Sequence, residues 1–387
     1  MDSERLDRRR VAFVNLTPHI GALPAVVSAM GRLVERGYQL DLISIASVDH
    51  IPTPHFSERQ ITLCPLPARG KLKIPGLGFL RIIAEIVRLS RARGGYACFF
   101  GIDQGGMIVA TLASMFVRTP AVYFSMELYP SSEARGWRKR LNKSLERICN
   151  RFTWLTLIQD DERAACLLED NRIDRSQIMI VPNSPLGRAA RNKSSYLNDR
   201  LGIAGDRQIV LYAGNIIDWA MCLELAESAL TWPAEWVLVL HGYAVSSQAA
   251  YLDKIKRLAT DSRVVLSLDM VPYEDVERLY SSAAIGVALY DSKKGANYAN
   301  IAGASGKLIR YLKCGLPIVT SDSPGLRRLV ERSQCGVCIG DAGEIKSAVA
   351  RVLADYSQFS SNAVRCYNEE FEFAKYFDRV IDKIDEL

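Results

Sequence analysis

Twice along this chain, short β-rich runs alternate with amphipathic helical stretches, and a polar stretch separates the two series. Parallel strands joined by crossover helices produce that pattern, because the helices cover both faces of the sheet; all-helical and all-β folds do not. The first series opens with VAFVNL (11–16), passes through the Gly/Pro turn TPHIGALP into AVVSAMGRLVERG, and returns as QLDLISI. It continues through YACFF (96–100), AVYFS (121–125), WLTLI (154–158) and QIMIV (177–181). PNSPLGRAARNKSSYLNDRLGIAGD (182–206) is rich in Asn, Ser, Gly and Pro and reads as a connector. The second series runs through QIVLYAG (208–214), EWVLVLHG (235–242), RVVLSL (263–268), AIGVALY (284–290) and LPIVT (316–320), with helices expected near 218–230, 246–259, 274–282 and 304–314. With 387 residues to bury, the expectation is two doubly wound domains, 1–184 and 207–367, joined by a linker over 185–206. The stretch 368–387 reads as a final amphipathic helix that packs back on the first domain. In such sheets ligands gather at the carboxyl ends of the strands, here across a cleft between the two domains.

Charge is distributed unevenly along this plan. Residues 1–190 carry 26 Lys/Arg against 18 Asp/Glu, and within 59–151 the ratio is 16 to 5. GKLKIPGLGFLRIIAEIVRLSRARGG (70–95) and RGWRKRLNKSLERICNR (135–151) mix cations and apolar residues at helical spacing. Two readings fit: a helix resting on an anionic bilayer, and Arg and Lys coating the solvent side of helices packed on a sheet. No nucleic-acid recognition motif accompanies the charge, so nucleic acid is not an expected partner. The opening MDSERLDRRR has no apolar h-region, and no run approaches a membrane span, so a cytoplasmic protein is expected, with the inner membrane face as its point of contact. Nine cysteines at scattered spacings describe no disulfide framework. The lone pair Cys335 and Cys338 has no second pair or His to complete a metal site, and reads as two small residues in a short strand.

NYANIAGASGKLIRYLKCGLPIVTSDSPGL (297–326) carries the most chemistry. A small, polar loop leads into a helix with Ser305 as N-cap, Leu308, Ile309 and Leu312 as the buried stripe, and Gly315 just past the end. Open backbone N–H groups and the positive end of the helix dipole make such a start an anion site. Lys307, in the first turn, opposes the dipole, which is reasonable where a bound anion compensates it.

Here the chain resembles the GT-B glycosyltransferases, particularly the family 4-like retaining enzymes. The resemblance rests on GASGKLIRYLKCGLPIVTSDSPGLRRLV and MVPYEDVERLYSSAAIGVALY, supported by QIVLYAGN, GDAGEIKSAVARVL, TPHIGALPAVVSAMGRLVERGYQLDLIS and IQDDERAACL followed by MIVPNS. It implies an α/β fold of two Rossmann-like domains facing across a cleft. It also implies a nucleoside diphosphate sugar as co-substrate, a glycan or lipid-linked acceptor in polysaccharide or glycoconjugate synthesis, retention of configuration, and no metal or other cofactor. Carried over by position, Gly21 faces the donor diphosphate, Gly214 and Asn215 lie beneath it, and His241 and Gly242 lie beside the nucleotide. Gly303, Ala304, Ser305, Gly306 and Lys307 supply amides and a cation.

The departures from the family pattern are equally specific. The Arg and Lys that follow the glycine of the second domain's opening strand are absent from GNIIDWAM, and the paired glutamates around the GLP helix stand as Ala302 and Arg310. Arg310 thus replaces a ribose-gripping carboxylate, with a role toward phosphate as one alternative. Where relatives carry His-Asp, this chain has Met126-Glu127. Glu127 fits either a carboxylate that orients or deprotonates the acceptor or a capped, salt-bridged residue, and His19 in the first Gly loop has the same two readings. Asp103, at a strand end, reads as an N-cap. The expected catalytic set is Glu127, His19 and Lys307. A non-catalytic partner subunit and a GT-B-fold nucleotide-sugar epimerase remain the alternatives; the first would bind donor without turnover, the second would need no acceptor.

Overall fold

The computed structural model describes residues 10–17, 20–45, 60–66 and 77–387, and the chain divides into two compact units. The first comprises 1–186 together with 373–387, the second 187–372.

The first unit is built on a seven-stranded parallel sheet: β1 (Arg10–Asn15), β2 (Gln39–Ser44), β3 (Ile61–Pro65), β4 (Phe99–Ile102), β5 (Ala121–Phe124), β6 (Leu155–Ile158) and β7 (Ile178–Ile180). The strands lie in the order β3-β2-β1-β4-β5-β6-β7, so the direction of winding reverses between β1 and β4. The central strands are buried on both faces, which is why they read as continuous apolar runs rather than alternating ones. Phe13 stacks on Phe100 at 4.6 Å, and Phe377 from the last helix closes over that pair. That helix, Phe373–Asp385, is shorter than the 368–387 stretch read from sequence. It buries Phe373, Phe377, Val380, Ile381 and Ile384 at helical spacing and is clamped by Arg32, which donates to both oxygens of Asp378 at 2.7 Å.

The second unit has six parallel strands: β8 (Gln208–Asn215), β9 (Trp236–Tyr243), β10 (Val264–Ser267), β11 (Ile285–Ala288), β12 (Ile318–Ser321) and β13 (Gly336–Ile339). Their order is β10-β9-β8-β11-β12-β13, with the reversal between β8 and β11. Residues 187–206, expected as a connector, are part of this unit: the helix Tyr196–Leu201 drives Leu197 fully into the core, and the Ala190 amide bonds the carbonyl of Lys313. Single apolar residues inside a polar run gave no periodicity to read. Strand β3 escaped for a related reason, since only Ile61 is buried on this edge and Leu63 faces water. Strand β4 starts three residues later than expected and ends at Ile102.

Candidate functional site

The carboxyl ends of β8 and β9 and the helix Gly306–Lys313 build one site within the second unit. The helix ends are as the sequence specified. Ser305 caps the start, its Oγ accepting from Leu308 N at 3.2 Å. Gly315 closes the end at φ +72°, with its amide on Leu312 O and that of Leu316 on Tyr311 O, the paired pattern that a left-handed residue permits. Leu308, Ile309 and Leu312 are fully buried, and so is Tyr311, whose ring fills the space over Gly286 where a Cβ would lie 2.2 Å from it. The Tyr311 hydroxyl accepts from Ala213 N at 2.8 Å and so pins β8 one residue before its glycine.

The strand ends themselves require glycine. Gly214 has φ +151° and Gly242 φ +146°, and a Cβ on Gly242 would stand 1.8 Å from the Gly214 carbonyl oxygen. Beside Gly242, His241 Nδ1 bonds Ser267 Oγ at 2.9 Å, and burial pushes its pKa down to about 4, so the imidazole is neutral at physiological pH. Asn215 follows Gly214, and its Oδ1 is buried with no partner among the described residues. An acceptor left open in this way costs about 1–3 kcal/mol, which a donor group on a ligand would offset.

Lys307 stands over this floor. Its Nζ donates to the Tyr212 hydroxyl at 3.1 Å and lies over three rings, Tyr212 at 4.2 Å, Tyr290 at 5.2 Å and Trp219 at 5.5 Å. Trp219 is held by Tyr298, stacked at 4.6 Å. No carboxylate pairs with Lys307 among the described residues; burial lowers its pKa to about 8. Ring faces stabilise a cation only modestly, so its charge is left largely uncompensated. The open amides next to it are fewer than expected. Ala304 N and Ser305 N both bond the carbonyl of Ile301, and Leu308 N is taken by the cap, so the amides of Gly306 and Lys307 are the ones left open among the described residues. The loop turns on itself before the helix starts, a bond that sequence spacing did not reveal. Gly303 lies in that turn and Ala302 packs near Gly325. Arg310, 7% exposed, lies over the Tyr280 ring at 5.5 Å and has no acidic partner among the described residues. A recess of about 920 Å³ opens in the same unit, but at the opposite, amino-terminal edge of the strands, against Gln208, Trp236 and Leu316; it is lined by none of Gly214, Asn215, His241, Gly242, Lys307 and Arg310.

The first unit gathers acids where the second gathers cations. Asp103 does not cap its own helix. It begins that helix at φ +51°, an uncommon conformation for a residue with a Cβ, and its Oδ1 accepts from the amides of Met126 and Glu127, both at 2.9 Å. The end of β5 is held from the other side as well: Gln159 Nε2 donates to Ser125 O, and Arg163 Nη2 donates to Met126 O at 2.9 Å. Burial, then the neighbouring charge of Glu127, raises the Asp103 pKa to about 7. Glu127 reaches solvent, yet partial burial of its carboxyl raises its pKa too, opposed by Arg163. Gly21 lies in the short 3₁₀ turn Ile20–Ala22 after β1, and His19 lies outside the described residues. Asp103, Gln159, Arg163 and the aromatic ring set around Lys307 are the residues that spacing alone did not gather.

Comparison with known proteins agrees with the fold. Residues 207–355 match the model of the family described as glycosyl transferases group 1. No curated protein matches the chain by sequence. Among solved structures, Anabaena Alr3699/HepE in complex with UDP and glucose is similar at TM-score 0.75 and 15% identity, covering 98% of this chain and 100% of that one. Sucrose-phosphate synthase (tll1590) from Thermosynechococcus elongatus is similar at TM-score 0.71 and 16% identity, covering 98% and 99%. WaaG, a glycosyltransferase involved in lipopolysaccharide biosynthesis, follows at 0.68 and 14%, covering 97% and 99%. The chain therefore has the GT-B fold, and within its second unit residues 207–355 are similar to the group 1 glycosyl transferases.

Proposed function

We propose that this chain transfers a sugar from a nucleoside diphosphate sugar, bound in the second unit, to a hydroxyl of a glycan or lipid-linked acceptor, with retention and without a metal. The observation that carries the reading is Lys307: a cation among three rings, with, among the described residues, no acid beside it and the open amides of Gly306 and Lys307 next to it. Cleavage of the glycosidic bond builds negative charge on the departing phosphate, and dipoles and a cation already in place lower that barrier. Gly214 and Gly242 keep the strand ends free of side chains, so a diphosphate can approach the backbone. Asn215 Oδ1 offers an acceptor to a sugar hydroxyl, and the neutral His241 presents no competing charge. In the first unit Glu127 is the acceptor's orienting group or base, held in place by Asp103 through the backbone amides of Met126 and Glu127. Similar structures hold UDP or UDP-glucose, which makes uridine donors the first to test.

A second reading, a non-catalytic partner subunit, draws on Arg310, since the ribose-gripping position holds a cation against Tyr280. A panel of nucleotide sugars separates the two. Thermal stabilisation by a donor, followed by release of nucleoside diphosphate with a hydroxyl acceptor, supports the transferase. Saturable binding with no turnover under any acceptor condition would assign the chain to the partner class.

A further inference from the structure

The helix Trp137–Asn150 in the first unit turns its polar residues inward and its apolar residues outward. Lys143, Glu146 and Asn150 are buried, at 4%, 0% and 0% exposure. Their polar groups are answered within the unit: Lys143 Nζ donates to Asp170 Oδ2 at 2.6 Å and to Asn171 Oδ1 at 2.7 Å. Glu146 accepts from Gln104 Nε2 at 2.8 Å and the Tyr123 hydroxyl at 3.1 Å, while Asn150 Nδ2 donates to Thr156 Oγ1 at 2.7 Å. A buried network of this kind fixes the rotation of the helix, because turning it would strand every one of those groups. The opposite face is thereby fixed as well. Trp137 is 67% exposed, Leu141 50% and Ile148 54%, and at 100° per residue they lie within an arc of about 40°. Phe152, just past the helix end, is 63% exposed.

Cations flank this stripe on both sides. Arg138 lies on one side, 5.3 Å over the Trp137 ring, and Arg140 and Arg151 on the other, all exposed. The helix has one acid, Glu146, and it is the buried one, so its solvent face carries no negative charge; beside the cations and the apolar stripe it exposes only the neutral Asn142 and Ser144, whose hydroxyl donates to Arg140 O at 2.9 Å. The adjacent helix Asp103–Val117 ends with exposed Met115 and Phe116, followed by exposed Arg118. In water such a stripe is a liability, since packing drives nothing apolar outward.

We infer that this face docks on an anionic lipid bilayer, with the stripe lying among the acyl-chain ends and the flanking guanidinium groups at the headgroup phosphates. The charge pattern favours lipid over nucleic acid, for which outward Leu141 and Ile148 have no use, and over an acidic protein patch, which would not call for the apolar stripe between the cations. Trp137, with an apolar ring and a polar edge, suits the boundary between the two layers.

The test is flotation of the full chain with vesicles of phosphatidylcholine alone or with 30 mol% phosphatidylglycerol. Binding at least tenfold stronger to the anionic vesicles is expected. The variant Leu141→Ser/Ile148→Ser/Phe152→Ser should lose at least tenfold, and Arg138→Ser/Arg140→Ser/Arg151→Ser about fivefold per cation removed. All six side chains face solvent, so unchanged melting curves are expected and confirm that the variants fold. Equal binding to both vesicle types, or undiminished binding of the apolar variant, would overturn the inference. So would a dimer, seen by sedimentation velocity in the parent and lost in the apolar variant, without vesicle binding.

Discussion

The two units share one plan, a parallel sheet wound outward from a central reversal, yet they place opposite charges at the carboxyl ends of their strands. In the first, Asp103 and Glu127 lie at the ends of β4 and β5, and backbone amides converge on a carboxylate. In the second, Lys307 lies over the ends of β8 and β9, and two backbone amides stay open beside it. The fold supplies strand ends and helix starts in both; which chemistry they serve depends on a few side chains set there. Burial works against the charge in each half: no acid answers Lys307 among the described residues, and the desolvation of Asp103 beside Glu127 outweighs the two amides it accepts.

The strongest way to break the contrast is to delete the cation. Lys307→Ala should lower kcat/KM for the donor by about 10²- to 10³-fold, the usual loss when one group stabilising the developing charge is removed. Calorimetry with the nucleoside diphosphate should show the same loss in affinity. Unchanged kinetics would take Lys307 out of the mechanism and leave the two units without a functional difference in charge.

Next in size is the glycine floor. Gly242→Ala sets a methyl group 1.8 Å from the Gly214 carbonyl oxygen, a backbone atom that cannot swing aside. A loss of about 1–3 kcal/mol in denaturant unfolding is expected, with weakened donor binding in the fraction that folds. Substitution at Gly94 meets nothing within 4 Å, although its φ of +75° adds strain, and Gly94→Asn, which tolerates that conformation, should leave binding untouched.

Much of this architecture was legible because it is written locally. Ser305, Lys307, Leu308, Leu312 and Gly315 fall within eleven residues that hold one helix and its two ends, each with its own physical signature, and they stand in the structure as the spacing implied. What the sequence concealed is what the fold assembles from a distance. Tyr212, Trp219 and Tyr290 meet around one ammonium group from three separate segments, and nothing in their local context marks them as more than core aromatics. Asp103 reads as a cap because Asp before an apolar helical run usually is one; its real partners are the amides 23 and 24 residues away. The helix Trp137–Asn150 was readable as cationic and apolar, but which face pointed inward depended on Asp170, Asn171 and Tyr123, which no periodicity connects to it.

The pH dependence of donor binding follows from Lys307 and His241 in the second unit. An anionic diphosphate prefers the protonated Lys307, whose pKa in the free protein lies at about 8. Affinity should therefore be level below pH 8 and fall about tenfold per unit above it, until the pKa of the bound state is reached. His241, with a pKa of about 4, adds no inflection between pH 5 and 7. A titration with a midpoint near 6.5 would show that the imidazole is more solvated than the structure implies.

The smallest effect is also the sharpest comparison, because the two units should respond to pH in opposite senses. Asp103 has its pKa raised from 3.8 to about 7, so the native state binds the extra proton between those values. The cost of its charge is absent at low pH, grows from pH 3.8 to 7, and is complete above 7. Asp103→Asn keeps an acceptor for the Met126 and Glu127 amides but cannot ionise. Its melting temperature relative to the parent should thus climb by a few degrees from pH 5 to pH 8. Lys307 has its pKa lowered from 10.5 to about 8, so the cost of its charge is complete below pH 8 and disappears towards 10.5. Lys307→Met should therefore be most stabilising at neutral pH and lose that advantage as the solution becomes alkaline. Two difference profiles of opposite slope, measured by calorimetry on ligand-free protein, would trace each charge to its own desolvated strand end; profiles of the same slope would mean that global charge, not the local sites, sets the response.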